Sequence, residues 1–323
     1  CMATHAIVAD HPGGPDVLKL QDVPIPVPGN GELLVKTGAV GVNFVEIYQR
    51  EGIYPVDFPF TPGSEGAGTV EAVGDGVTGF MPGDRIATCE GVGTYADYFL
   101  VPADAAAKIP DDVSIREAGA LPLQGCTAHY LINSSSHPTE GDTVLVHAGA
   151  GGVGQLITQM LKSKGVRVIT TASTEEKRAL SRAAGADLSI GYEDFPAVVR
   201  EFTDGRGVDV VYDGVGKSTF DGSLASLRIR GEMVLFGGAS GQVPLFDLQR
   251  LNREGSLSVT RPYLDHFMLT PEERQWRYTE LFEAVQGGTL KVKIGAEFPL
   301  AEAGSAQTQL EGRKTTGKVL LLP

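Results

Sequence analysis

Residues Gly149-Ala150-Gly151-Gly152-Val153-Gly154 spell GxGxxG, and their surroundings decide what the letters mean. Val144-Leu145-Val146 reads as a strand immediately before them. Immediately after, Val153, Leu156, Ile157, Met160 and Leu161 fall at helical spacing up to a stopping Gly165. A glycine turn between strand and helix gathers backbone N–H groups and the positive end of the helix dipole on one spot, where the pyrophosphate of a dinucleotide fits. Gly149 is expected to permit the tight turn, Gly151 to let the phosphate approach, and Gly154 to let the helix pack on the strand. Without the flanking strand and helix, the same letters would mean only a tight turn.

About 20 residues beyond such a turn, an Asp or Glu at the end of the second strand would grip the ribose hydroxyls of NAD. Here that position is Ala172-Ser173, with Lys177 and Arg178 one turn into the next helix. A 2′-phosphate would meet donors there rather than repulsion, which favours NADP(H) over NAD. Glu175 and Glu176 leave a second reading open, in which the two cations pair along a solvated helix face.

The elements that carry this turn alternate. After the first strand and helix come a strand at Val166 to Thr170 and a helix opened by a Ser173/Glu176 capping box that runs to Gly185. A strand at Leu188 to Ile190, a helical face of Phe195, Val198, Val199 and Phe202, and strands at Val208 to Tyr212 and Met233 to Phe236 follow, with Leu257 to Thr260 a sixth strand at the edge. The pattern predicts an α/β fold with a doubly wound parallel sheet. The first ~120 residues differ, with Gly/Pro punctuation such as Pro24-Ile25-Pro26-Val27-Pro28-Gly29 between short apolar runs, as in a β-rich domain. Leu33 to Val35, Gly68 to Val73, Arg85 to Ala87 and Tyr98 to Val101 are its expected strands. The tail, with a helix around Tyr278 to Val285 and a strand at Lys318 to Leu322, stops alternating and is expected to rejoin that domain.

With 323 residues, 42% hydrophobic and 21% charged, the chain has the make-up of an ordered globular protein with room for two domains. Its formal charge of −13 repels nucleic-acid phosphates and anionic membranes, so a small-molecule partner is expected and neither nucleic acid nor membrane. No apolar run reaches the ~18 residues of a membrane span, and no basic region precedes an apolar core at the N-terminus, so a cytoplasmic location is expected. Cys1, Cys89 and Cys126 show no CxxC spacing and are expected to be reduced thiols; Cys1 stands before Met2 and is read as an addition to the natural start. The six histidines have no ligand spacing, and His147 is expected to be a satisfied buried side chain rather than a base.

Several ordered blocks resemble the quinone oxidoreductase, zeta-crystallin-like branch of the medium-chain dehydrogenase/reductases. They are Gly41 to Phe44 with Ile47 to Pro55, Pro62 to Gly68, Gly93 to Tyr98, Leu123 to Leu131, Val146 to Gly154, Val211 to Lys217 and Thr260 to Pro262. The resemblance implies a GroES-like catalytic domain, residues 1–123 and 264–323, with a Rossmann domain inserted at 124–263 and the cofactor in the cleft between them. It also implies roles. Asn43, Gln124, Thr127 and Tyr130 would surround the nicotinamide, and Gly151, Gly152 and Val153 would touch the pyrophosphate. Ser173, Lys177 and Tyr192 would hold the 2′-phosphate. Phe236, Gly237, Gly238, Ala239, Ser240, Arg261 and Arg313 would line the cleft. Tyr130 and Tyr192 are equally readable as core aromatics, and Arg313 as a solvated residue of the Glu311-Gly312-Arg313-Lys314 turn.

Zinc alcohol dehydrogenases share that fold, but here Asn43 stands where they carry a ligand cysteine and Ser64 where they carry a histidine, and three cysteines cannot build their four-cysteine lobe. No metal is expected. The activity implied is metal-free hydride transfer from NADPH to a quinone held between the nicotinamide and the Asn43 to Tyr54 segment, with Asn43, Tyr48 and Tyr54 as donors to its oxygen. Reduction of an enal, enone or enoyl thioester is the alternative chemistry, with a tyrosine as proton donor. A crystallin-like structural or RNA-binding role is the alternative of another class. Relatives also imply a homodimer formed along the edge strand near Leu257 to Thr260.

Overall fold

Antiparallel strands with one buried face need turns every few residues, and the computed structural model, which describes residues 3–313 and 315–323, shows them through its N-terminal third. Cys1 and Lys314 lie outside the described residues. The chain divides into two units, one over Cys1–Leu123, Thr270–Gly287 and Lys291–Pro323, the other over Gln124–Leu269 and Gly288–Leu290.

The first unit opens with a hairpin of β1 (Thr4–Val8) and β2 (Lys19–Val23). The long β3 (Glu32–Gly41) then organises the main sheet. It pairs with β4 (Gly66–Val73) and β6 (Tyr98–Pro102), and its Val40–Gly41 end pairs with the C-terminal β15 (Lys318–Leu322). Beyond β4 lie β5 (Arg85–Thr88) and β7 (Ala107–Lys108), and beyond β15 lies β14 (Ile294–Pro299). Leu33, Val35, Val70, Ile86, Phe99 and Val101 fill one core; Ile7, Val40, Val42, Tyr95, Val319 and Leu321 fill another. Between β3 and β4 the chain inserts α1 (Phe44–Arg50), and α2 (Ile115–Ala120) follows β7, capped where Ser114 Oγ accepts the Glu117 N–H at 3.1 Å.

The second unit begins with α3 (Pro122–Asn133), whose first residues belong to the first unit. Strand and helix then alternate: β8 (Thr143–Val146), α4 (Gly152–Ser163), β9 (Arg167–Thr171), α5 (Glu175–Ala183), β10 (Leu188–Ile190), α6 (Phe195–Phe202), β11 (Val208–Asp213), α7 (Phe220–Ser226), β12 (Leu227–Leu235), α8 (Gln249–Arg253) and β13 (Ser258–Thr260). Every ladder is parallel, in the order β10-β9-β8-β11-β12-β13. Strands β8 and β11 are buried along their whole length, as helices on both faces require. The order reverses at β8, so the turn leaving β8 sits where doubly wound sheets bind ligands. Helix α4 buries Leu156, Ile157 and Leu161 on the sheet, each contributing about 2 kcal/mol of apolar burial.

The expected α/β architecture with a doubly wound sheet is present. Two local expectations change. Helix α5 is capped by Thr174, whose Oγ1 accepts the Lys177 N–H at 3.2 Å, and not by Ser173 with Glu176. The helix expected around Tyr278 starts earlier, as α9 (Pro271–Gln286), because Thr270 caps it and Pro271 presets its first turn. Helix α10 (Ala303–Glu311), absent from the sequence reading, precedes β15.

Candidate cofactor and acceptor sites

The turn after β8 needs its glycines for space. The left-handed residue there is Ala148 (φ 52°), not Gly149. A Cβ on Gly149 would strike the Thr170 side chain and lie 2.7 Å from Ser181 Oγ. A Cβ on Gly154 would strike the Ala148 carbonyl and lie 2.9 Å from Gly149 Cα. Gly151 starts α4 with no side-chain cap. A Cβ there would meet only the Ala148 carbonyl, at 3.2 Å. The N–H groups of Gly152, Val153 and Gly154 have no acceptor within the helix, so the positive end of α4 opens onto a place left clear by Gly151. The Gln124 side chain stands over Gly152, within contact of where a Cβ would be. These residues fit a dinucleotide pyrophosphate.

At the end of β9, Ser173 is exposed, since Thr174 does the capping. The two cations separate. Arg178 is tied to the Ala172 carbonyl at 3.0 Å and to Glu175 at 3.1 Å, whereas Lys177 forms no ion pair among the described residues. Glu175 is further engaged by Arg182 at 2.5 Å. The half-buried Tyr192 brings its hydroxyl within 3.1 Å of the Ala148 N–H, so it accepts from the start of the glycine turn. Ser173, Lys177 and Tyr192 thus remain as a donor set with no carboxylate at the strand end.

Beneath the turn, His147 joins two loops that the sequence reading did not connect. Ser223 Oγ donates to Asp213 Oδ2 at 2.7 Å, so it must accept from His147 Nε2 at 2.8 Å. The proton therefore sits on Nε2, and Thr171 Oγ1 donates to Nδ1 at 2.8 Å while lying 3.3 Å from the Ala148 N–H. Asp213 also accepts from Val215 and Gly216 N–H and from Thr219. Burial pushes the His147 pKa down to about 4, against the pull of Asp213. His147 is a satisfied buried histidine, as expected; Thr171, Ser223 and Asp213 were missed, since only the parallel pairing brings them together.

Of the expected cleft residues in this unit, Phe236 and Gly237 are half-buried, while Gly238, Ala239 and Ser240 are exposed. They brace the loop after β11, where Ser240 Oγ donates to the Val215 carbonyl at 2.7 Å and the Ala239 N–H to that of Gly214 at 3.1 Å. Thr127 is half-buried, and Tyr130 is buried and stacks on Phe267 with centroids 4.4 Å apart, as a core aromatic would. Arg261 is exposed, donating to the Pro262 carbonyl.

In the first unit, Arg313 is exposed at φ 53°. Asn43, Tyr48 and Tyr54 fall on one short segment. Asn43 precedes α1, and its N–H donates to Glu46 Oε1 at 2.9 Å. Its amide is buried and engaged: Lys318 Nζ donates to Oδ1 at 2.6 Å, and Nδ2 donates to Glu65 Oε1 at 3.0 Å. Glu65 also pairs with Lys318 at 2.7 Å and accepts the Leu123 N–H at 2.7 Å. Tyr48 and Tyr54 are exposed and their hydroxyls take no hydrogen bond among the described residues; their rings lie 5.3 Å apart. Burial pushes Glu46 up to about 8, and Tyr95, which donates to it at 3.3 Å, well above its ordinary value. Glu65 and Lys318 were missed by the sequence reading; a lysine at the head of the apolar run Val319 to Leu321 was the available signal. Among the described residues, no group of three or more His, Cys, Asp or Glu side chains could hold a metal ion.

Two measurements test this geometry. His147 holds fewer protons folded than unfolded between about pH 4 and 6.5, so it makes stability rise with pH across that window. Glu46 holds more protons folded than unfolded between about pH 4.5 and 8, so it makes stability fall as pH rises. Urea unfolding should show His147→Asn flattening the first slope and Glu46→Gln the second; unchanged slopes would refute the assignments. Lys177→Ala should raise the KM for NADPH about tenfold, the scale of one charge-assisted contact, and leave that for NADH unchanged; an equal effect on both would remove Lys177 from the phosphate grip.

Comparison with known proteins agrees along the whole chain. Residues 29–111 match the family model described as alcohol dehydrogenase GroES-like domain, and residues 152–275 that described as zinc-binding dehydrogenase. The quinone oxidoreductase of Pseudomonas aeruginosa is 42% identical over 96% of this chain and 97% of its own. The 2-haloacrylate reductase of a Burkholderia species is 40% identical over 98% of each. A mycobacterial protein solved in complex with NADPH superposes with a TM-score of 0.94 at 52% identity, over 99% of this chain and 100% of its own. The chain belongs to the quinone oxidoreductase, zeta-crystallin-like branch of the medium-chain dehydrogenase/reductases.

Proposed function

We propose that this protein is an NADPH-dependent quinone oxidoreductase. The observation that carries the reading is an uncapped glycine turn at the switch point of a parallel sheet, followed by a strand end with Ser173 and unpaired Lys177 in place of a carboxylate. That set suits NADPH, and full-length similarity to quinone oxidoreductases supplies the acceptor class. Bound NADPH supplies the hydride. Gly151, Gly152 and Val153 would hold the pyrophosphate through backbone N–H groups, Ser173, Lys177 and Tyr192 the 2′-phosphate, and Gln124 and Thr127 the nicotinamide end, with Phe236 to Ser240 and Arg261 on the same unit.

The acceptor rests on the segment of α1 and the turn after it. Tyr48 and Tyr54, exposed and tilted 59° to each other, offer aromatic surface and two hydroxyl donors. A quinone that receives a hydride becomes a resonance-stabilised anion, which these donors stabilise until its oxygen takes a proton from solvent. No metal takes part: the carboxylate of Glu65 is already neutralised by Lys318, and Asn43 and Ser64 are poor metal ligands. Similarity to a 2-haloacrylate reductase favours activated alkenes as a second acceptor class.

We also place the enzyme in the cytoplasm as a homodimer. Among the described residues no helix is long and apolar enough to cross a membrane. Ile229, Leu245 and Leu248 are exposed on the unit whose parallel sheet has β13 as an edge strand. Light scattering should give about twice the 34.1 kDa chain mass; a monomer at micromolar concentration would overturn the dimer.

NADPH oxidation with a naphthoquinone, a 2-alkenal and crotonyl-CoA ranks the acceptors. The naphthoquinone should give the highest kcat/KM, and Tyr48→Phe with Tyr54→Phe should lower it by ~10-fold, a common size for lost transition-state donors. Faster turnover of crotonyl-CoA, or no effect of either variant, would overturn the quinone assignment.

A further inference from the structure

Lys318 is a costly residue for its position. It heads a strand whose next three side chains are buried leucine and valine, its own side chain is 3% exposed, and a buried ammonium is strongly disfavoured unless it is well paired. Its partners are Asn43 Oδ1 at 2.6 Å and Glu65 Oε1 at 2.7 Å. The backbone makes room for the pair, since a Cβ on Gly41 would overlap the Glu65 carboxylate. Glu65 is also held by the Leu123 N–H. The Asn43 amide is therefore set one way round, oxygen to the ammonium and nitrogen to the carboxylate.

The two amide hydrogens are not held equally. One meets Glu65 Oε1 at 3.0 Å; the other meets only the Gly41 carbonyl, at 3.5 Å, the limit of a hydrogen bond. An ammonium on the amide oxygen polarises the group and strengthens both N–H donors.

We infer that Lys318 is a positioning residue for the acceptor site, fixing and polarising the Asn43 amide so that its loosely held N–H serves the acceptor oxygen as hydride transfer makes it negative. The inference rests on the acceptor reading proposed above and deepens it. Lys318 acts through Asn43, with Glu65 as the counter-charge that keeps the ammonium buried. Neither Lys318 nor Glu65 has to touch the acceptor.

The test uses the full-length enzyme with NADPH and a set of naphthoquinones of decreasing electron affinity. Lys318→Met alone leaves a lone buried carboxylate and can fail to fold, so the variant to use is Lys318→Met with Glu65→Gln, which removes both charges and keeps an acceptor for the Leu123 N–H. This pair should lower kcat by ten-fold or more, most with the poorest electrophile, while the NADPH Kd stays within two-fold and the thermal midpoint stays near wild type. Asn43→Ala should lower kcat similarly, and adding the pair to it should cost less than a further two-fold. Independent, multiplying effects, an unchanged kcat for the pair, or a parallel loss of NADPH affinity would overturn the inference. If Asn43→Ala and both tyrosine variants are silent, the acceptor reading fails with it; if the tyrosine variants slow turnover and the pair does not, only the role of Lys318 fails.

Discussion

Between Ala148 and Gly154 the backbone passes so close to itself and to β9 that a single methyl group at Gly149 or Gly154 would have nowhere to go. That close approach sets α4 directly against the end of β8. The dipole of α4 and its unpaired N–H groups then face outward at the one place where the strand order reverses. Capping this helix with a side chain would satisfy the donors and remove the anion site. The absent cap at Gly151 is therefore a requirement of binding and not an imperfection of the helix.

Each unit stiffens its functional segment with buried polar groups. In the second unit a directed string runs from the Ala148 N–H through Thr171, His147 and Ser223 to Asp213, which in turn holds the Val215 and Gly216 N–H groups. In the first, Lys318, Glu65, Asn43 and Glu46 run into Tyr95, Gln307 and Arg50, binding α1 to β15 and α10. Such strings are costly to bury and tolerate few alternative arrangements. They make the segments carrying Tyr48 and the phosphate turn single-valued, which hydride transfer, sensitive to small misplacements, requires.

The alternating half was the more legible in sequence. Strand runs such as Leu188 to Ile190 and the face of Phe195 to Phe202 coincide with observed elements, because continuous apolar runs and helical spacing report burial locally. Short helices escaped: α1 follows Asn43, whose N–H is taken by Glu46, and α2 carries a Ser114/Glu117 box that a scan for caps would have found. At α5 two adjacent hydroxyl residues competed, and Thr174 rather than Ser173 caps, which one register step decides. The pairing of Lys318 with Glu65 and Asn43 was out of reach, since it depends on β15 returning beside β3 across most of the chain. Residue types pointed to Asn43 as a donor; only the fold shows that its amide is held by other side chains first.

The proposed reaction is the transfer of a hydride from NADPH to a quinone. Single-turnover oxidation of NADPH deuterated at the transferring position, with a naphthoquinone as acceptor, tests it most directly. A normal primary isotope effect is expected, with no NADPH oxidation when the acceptor is omitted. Turnover with no isotope effect at the chemical step, or none at all with any quinone, would contradict it.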